Sequence, residues 1–507
     1  MPGAVAASAH VTAFDIVVLA GYFAATMAVG FAVTRRSRSV GGFTAADRSL
    51  PGWLTGLSIL GTYVSSITFL ALPAKAYSSN WNPFVFSLAL PLATWAAMRW
   101  FLPFYRRSTH VSAYHHLESR FGPWARVYAS LCYLLTQLAR MGTVMYLMAL
   151  PMSVLLEWDI RAVILVTGVS VTIYALVGGL VAVIYTDAFQ TIVLVAGALA
   201  CAALMVGSLP GGASQLVRLA GENGKFSLGS LGPGLGEPTV WVVLLYGMTI
   251  NLQNFGIDQN FVQRYIASKS DAEARKSLLL GSLTYVPLSA VFLFIGTALF
   301  AYYEVHPASL PAIYRDPAQA DAVFPWFIVS VLPPGVTGLL IAAIFAAAMS
   351  TVSTSLNSSA TIILSDYYQR YVNPRAGERE SMRVLRRTTL LWGAAGTAAA
   401  VAMTEARGAL DTWWTLAGIF GGGTLGLFLL GYFSRSAGNR AAQAGVATGV
   451  LLIVWMTFSP RSAAWPAAWR SPFHDFLIIV FGTAAVMVVG LAVGWTMSMR
   501  APRKLQP

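Results

Sequence analysis

Between Gly335 and Asp366 the chain reads GVTGLLIAAIFAAAMSTVSTSLNSSATIILSD, a segment apolar enough to cross a bilayer yet carrying Ser350, Thr351, Ser353, Thr354, Asn357 and Ser358 in its middle. Positions 350, 353, 354 and 357 recur at i, i+3, i+4 and i+7, so a helix would gather them on one face. Two chemistries are open to such a face. Small hydroxyl residues let helices approach closely and bond back to their own backbone, which would make this a packing helix. A dense row of oxygens in an apolar setting also suits a hard cation, and that reading makes the protein an ion-coupled transporter.

Two charged residues in other apolar runs bear on the choice. Arg140, in LLTQLARMGTVMYLMALP, is about a dozen residues from either end of its run, too deep to snorkel, and such residues face the protein interior and mark pathways. Its planar guanidinium suits a carboxylate. Asp187, in YALVGGLVAVIYTDAFQTIVLVAG, is the acid that matches it. The two either neutralise one another, or Asp187 adds negative charge to a cation site while Arg140 holds an anionic substrate.

The elements that must position these groups are membrane helices. The chain is 56% hydrophobic, 10% charged and has 15 Trp, far from a water-soluble composition. Apolar runs of roughly 20 residues give about thirteen spans, centred near residues 22, 62, 93, 140, 169, 193, 247, 290, 349, 397, 421, 450 and 485. The alternation of a transmembrane barrel is absent, so the spans are helices. Thr12 to Thr34 reads as a retained helix rather than a signal peptide. Cys132 and Cys201 fall inside spans and form no disulfide framework.

Lys and Arg cluster in alternate loops, at 35–48, 106–126, 264–276, 370–387, 435–440 and 500–504. The positive-inside rule then places the amino terminus outside and the carboxyl terminus in the cytoplasm. The net charge of +13 is therefore explained by topology and needs no nucleic-acid partner.

Two spans look interrupted. LPGWLTGLSILGTYVSSITFLALPAKAY has Gly61 followed by Thr62, Tyr63, Ser65, Ser66 and Thr68; VWVVLLYGMTINLQNFGIDQNF has Gly247, Thr249, Asn251, Gln253, Asn254, Gly256 and Asp258. They are either kinks with polar glue between neighbours or discontinuous helices around a midplane site in two related halves, as in inverted-repeat transporters. Gly421, Gly422, Gly423 and Gly426 read as a close-packing face.

Four stretches, FTAADRSLPGWLTGLSILGTYVSSITF, ALVGGLVAVIYTDAFQT, VQRYIASKSDAEARKS and AAIFAAAMSTVSTSLNS, identify a resemblance over nearly the whole chain to the sodium:solute symporter family. The resemblance implies an all-α integral membrane protein with LeuT-like inverted five-helix repeats. The repeats would cover about residues 50–205 and 238–435, with an extra helix at 12–34 and two more at 441–497, in one transport domain. It further implies a shared sodium site from the carbonyls of Gly61, Val64 and Ala347 and the hydroxyls of Ser350 and Thr351. Glycine at 61 stands where relatives often have alanine, which leaves the carbonyl ligand unaffected. A second site, present in some members, maps onto Asp187, Ser350, Ser353 and Thr354, so two Na+ per cycle are expected.

The substrate is expected beside them, against Ser65, Ser66, Thr68, Asn251 and Asn254, with Arg140 opposite. Sugar carriers of the family often have Glu-Gln where this chain has Ile67-Thr68, and an aromatic pair where it has Asn254-Phe255, which argues against a neutral hexose. Hydroxyls with one arginine resemble the sialic acid branch. The expectation is sodium-coupled import, by alternating access across a plasma (bacterial inner) membrane, of a small acidic sugar such as sialic acid. Another carboxylate, or a polyol or sugar, remains open, as does a transport-inactive sensor. No enzyme chemistry is expected, since His115, His116 and Glu118 read as a solvated cytoplasmic turn, and nothing points to an obligate protein partner.

Overall fold

The computed structural model describes residues 12–33, 39–108, 110–156, 158–405, 409–462 and 465–500. Thr34, Arg35, Arg36, Arg38, Arg503 and Lys504, which figure in the expected first span and charge pattern, lie outside them. Among the described residues nine helices are long and apolar enough to cross a membrane, and one sharply bent pair makes a tenth. That is fewer than the thirteen expected. The run near 169 supplies only a short apolar helix, Ile160–Ile173, and the run near 397 lies in Glu378–Met403, which opens on charged residues and is rich in Ala, Gly and Thr. The run near 140 lies in a 34-residue helix that carries both Arg126 and Arg140.

In chain order the helices that matter for the site are α1 (Ala13–Val33), α2 (Gly52–Tyr63), α3 (Ile67–Ser78), α4 (Phe84–Arg107), α5 (His115–Phe121), α6 (Pro123–Leu156) and α7 (Ile160–Gly207). They are followed by α8 (Val240–Ile257), α9 (Gln259–Ala267), α10 (Asp271–Val305), α11 (Val336–Val372), α12 (Glu378–Met403), α13 (Ala409–Phe433), α14 (Asn439–Phe458) and α15 (Leu477–Arg500).

The hydroxyl-rich helix α11 is the centre of the molecule. Its most apolar window is 89% buried, against 17% for α1. Its hydroxyls therefore face protein on all sides, where unmet polar groups are costly and must find partners. α1 pins its start: the Asp15 carboxylate accepts from the amides of Gly335 (2.7 Å) and Gly338 (2.8 Å). An acid there satisfies orphan amides and the positive end of the helix dipole together. Gly335 has φ +86, a conformation that favours glycine.

Both expected interruptions exist, each with a local cause. α2 stops at Tyr63 because Val64 is extended (φ −83, ψ 101), and α3 leaves at 56° to it. The Ser65 hydroxyl accepts the Ile67 amide at 3.2 Å and restarts the chain, which winds as a wide π turn through Ile67–Ala71. The other interruption is narrower than the sequence suggests. α8 runs unbroken through Gly247, Asn251 and Gly256, and only Asp258 is extended (φ −75, ψ 122). Its carboxylate caps α9 by accepting the Asn260 amide at 2.7 Å. α7 has a comparable joint at Gly179, whose φ of 57 only glycine adopts freely.

At the glycine run of α13, a side chain at Gly423 would meet the Tyr128 hydroxyl and one at Gly426 the Val486 side chain, as close packing requires. The turn at Glu118 is less solvated than its sequence implies. Glu118 holds Arg126 (2.8 Å) and Arg370 (2.7 Å), and Arg126 also holds the buried Asp366 at 2.6 Å. These two arginines keep the Glu118 carboxyl below the ordinary range against the opposing pull of burial.

Candidate functional site

Where α2 breaks, its last carbonyls lose their intrahelical partners and must be met from outside. The Ser350 hydroxyl of α11 donates to the Gly61 carbonyl at 2.9 Å and to Ala347 at 3.2 Å, and Thr351 donates to Ala347 at 3.1 Å. Four of the five oxygens expected to hold the first cation thus touch one another, and Val64, the fifth, forms the break itself. All are buried. Turning the two hydroxyl protons away would present lone pairs to a monovalent ion without rearranging the backbone.

Gly61 does more than offer a carbonyl. A methyl group there would run into the Thr191 hydroxyl, which is tied to the carbonyls of Asp187 (2.7 Å) and Leu57 (3.1 Å). The packing around this position therefore favours glycine here. Gly61→Ala is expected to destabilise by about 1–3 kcal/mol through overpacking and to weaken sodium dependence. Gly61→Ala/Thr191→Ala should restore both, as read by thermal unfolding and by sodium titration of uptake.

Asp187 is fully buried, but its partner is not Arg140. Its Oδ2 accepts from Arg264 at 2.7 Å and from Ser58 at 2.6 Å. Arg264 also donates to the Ser58 hydroxyl (2.8 Å), Thr354 (2.8 Å) and the Asn260 carbonyl (2.6 Å). This corrects the sequence reading twice. Arg264 belongs to no cytoplasmic loop, being completely buried, and the pairing of Asp187 with Arg140 does not exist. Asp187 Oδ1 is buried with no hydrogen-bond partner, which leaves one carboxylate oxygen open to a cation in a site whose formal charge Arg264 already balances. Ser353 donates to the Ser350 carbonyl at 3.2 Å, and Asp187 and Thr354 share the Arg264 guanidinium.

Arg140, 8% exposed, reaches the Thr62 carbonyl at the break and lines a small chamber of about 70 Å3. Ser65, Thr68 and Asn254 line it too, as do Tyr63, Gln253, Asp258, Tyr285 and the tryptophans Trp413 and Trp414. Ser66 and Asn251 do not. Ser66 donates to the Val144 carbonyl at 2.9 Å, fastening the break to α6, and Asn251 pairs with the Tyr63 hydroxyl and the Phe86 carbonyl. The acid facing the same chamber as Arg140 is Asp258. The chamber is well below the roughly 300–1,000 Å3 of ligand pockets, so a sugar-sized solute enters only when its walls move. A larger recess of about 410 Å3 shares Pro83 and Trp414 with it and is crossed by the Lys75–Asp411 pair (2.7 Å).

Ser58 and Arg264 escaped the sequence reading as site residues, and Asp258 figures there only as part of the interrupted span. Hydropathy reads the polar stretch 259–267 as loop, whereas α9 is a short buried helix. The sign that was there is its periodicity, Phe261, Val262, Tyr265 and Ile266, at helical intervals around Arg264.

A helix broken at mid-depth, a hydroxyl-rich helix packed on the break and a closed polar chamber alongside define an ion-coupled membrane transporter that works by opening and closing. The chain belongs to the sodium:solute symporter family, whose sequence profile matches residues 43–449. It is 32% identical over 483 residues to the sodium/sialic acid symporter NanT of Aliivibrio fischeri, covering 94% of this chain and 92% of the relative. It is 31% identical over 477 residues to the sodium/sialic acid symporter SiaT of Proteus mirabilis, covering 93% of each. A solved, substrate-bound, outward-open Na+-coupled sialic acid symporter superposes with a TM-score of 0.87 at 29% identity, over 98% of this chain and 100% of that one. The protein is accordingly a multi-pass, sodium-coupled solute symporter of the all-helical, LeuT-like fold, with Na+ as its coupling ion.

Proposed function

We propose that the protein imports sialic acid, or a sugar acid of that class, together with two sodium ions. The observation that carries this reading is the chamber: one buried guanidinium, suited to a carboxylate, stands among the hydroxyls of Ser65 and Thr68 and the amide of Asn254, suited to a polyol. The relatives' sialic acid substrates agree with that chemistry. The first ion sits against Gly61, Val64, Ala347, Ser350 and Thr351, and the second against Asp187, Ser350, Ser353 and Thr354. Each charge moved down about 100 mV adds about 2.3 kcal/mol of drive, so the second ion deepens accumulation steeply.

In this reading residues 50–205 and 238–435 are the two inverted repeats. The amino terminus is outside and the carboxyl terminus cytoplasmic, as the arginines at 106, 126, 370 and 379–387 support. The test is uptake of labelled sialic acid into proteoliposomes with and without an inward sodium gradient. Sodium-driven accumulation supports the proposal. Uptake of another monocarboxylate in preference to sialic acid moves the substrate, and binding without uptake makes the chain a sensor.

The Lys75–Asp411 pair joins α3 to α13 at the mouth of the larger recess, on the side this reading calls outer. Its side chains are 33% and 46% exposed, so it is worth at most about 1 kcal/mol. Asp411→Asn should therefore shift the open–closed balance, and with it the half-saturating solute concentration, by no more than about five-fold.

A further inference from the structure

We propose that the large cavity at the end of α4 is a binding site for a phosphate anion, presented by an anionic phospholipid headgroup. The cavity, about 960 Å3, lies away from the broken helices, between the end of α4, α5, the start of α10 and the end of α13. Arg99, Arg107 and Arg275 line it. All three are exposed, and none has a hydrogen-bond or ion-pair partner among the described residues. The one carboxylate on its wall, Asp271, is taken by Arg106 at 2.8 Å and so does not cancel them. Two histidines complete the wall. Burial keeps both His115 and His116 below their ordinary range, so neither adds a cation to the wall.

The cavity also faces the right medium. Trp100 lines it about two turns from the end of α4, where indoles mark the membrane–water boundary, and packs edge-on at 5.4 Å against Trp95, which is midway along the same helix and 53% exposed. Basic pockets at that level on the cytoplasmic side take lipid headgroups, and a guanidinium fork matches a phosphodiester. Surface positive charge alone needs no concave aromatic walls.

Native mass spectrometry of the full chain, titrated with phosphatidylglycerol or phosphatidylcholine, tests the site. Phosphatidylglycerol should bind preferentially. Each Arg→Gln change at 99, 107 or 275 should weaken it about five-fold and the triple change on the order of 100-fold. Arg379→Gln/Arg383→Gln, which removes as exposed a pair elsewhere on the same side, should change it less than about two-fold. If the triple variant does not fold, Arg107→Gln alone carries the comparison. Retention of phosphatidylglycerol against millimolar inorganic phosphate assigns the anion to lipid; displacement by inorganic phosphate assigns the same site to a soluble phosphate. Equal loss in the control pair, or no preference over phosphatidylcholine, overturns the site.

Discussion

Arg140→Ala is expected to lower affinity for a carboxylate substrate by on the order of 100-fold or more, the largest effect of any single change in the chamber. A charge-assisted bond in a desolvated setting is worth about 1.5–3 kcal/mol, and a forked guanidinium makes two. Arg140→Lys keeps the charge but not the fork, so it should recover only part of the loss. Neutral analogues in which the carboxylate is reduced to an alcohol should bind wild type and Arg140→Ala alike. Asp258→Asn gives the opposite control. Asparagine caps α9 as well as aspartate does, while removing the acid that faces the same chamber, so anion affinity should hold or rise. Isothermal titration of each variant with sialic acid reads these differences, and unchanged affinity in Arg140→Ala would place the carboxylate elsewhere.

Asp187→Ala should cost both sodium coupling and the fold. Removing one member of a buried pair costs about 3–5 kcal/mol, because the other is left charged and uncompensated. Here that residue is Arg264, completely buried, with its remaining donors on Ser58, Thr354 and Asn260. Asp187→Ala/Arg264→Met removes both charges and should regain most of the stability. The sodium response is where the two roles separate. If Asp187 serves only Arg264, the double variant returns cooperative sodium dependence. If the free Oδ1 holds the second ion, the double variant folds, and its Hill coefficient for sodium falls toward one while some transport persists. Thermal unfolding and sodium titration of uptake on the same preparations decide the matter.

The sequence was most legible where an oddity was local. Hydroxyls spaced on one helical face located the cluster on α11, and Gly61 with the serines after it located the break in α2, because both depend on a few neighbouring residues. It was least legible where burial depended on distant contacts. Arg264 sits in a stretch of average hydropathy below zero, and the helical spacing of Phe261, Val262, Tyr265 and Ile266 gives α9 an apolar face without saying what covers it. Partner choice failed for the same reason: Arg140 and Asp187 are both deep and opposite in sign, but depth along separate helices does not say which faces meet. Ser66 and Asn251 look like their neighbours Ser65 and Asn254 in sequence. Only the direction each leaves its helix separates a chamber wall from a fastening behind it.

The Asp187–Arg264 pair also sets an order on biosynthesis. The acid is made 77 residues before its partner, and at about 5–20 residues per second it waits on the order of 4–15 s. During that interval α7 carries a carboxylate with no counter-ion in a segment otherwise fit for lipid, where it is unfavourable by a few kcal/mol. The first half of the chain is therefore expected to seat less firmly in the bilayer until α9 arrives. A nascent chain that misplaces this one guanidinium would keep a marker of incomplete assembly at the middle of the membrane.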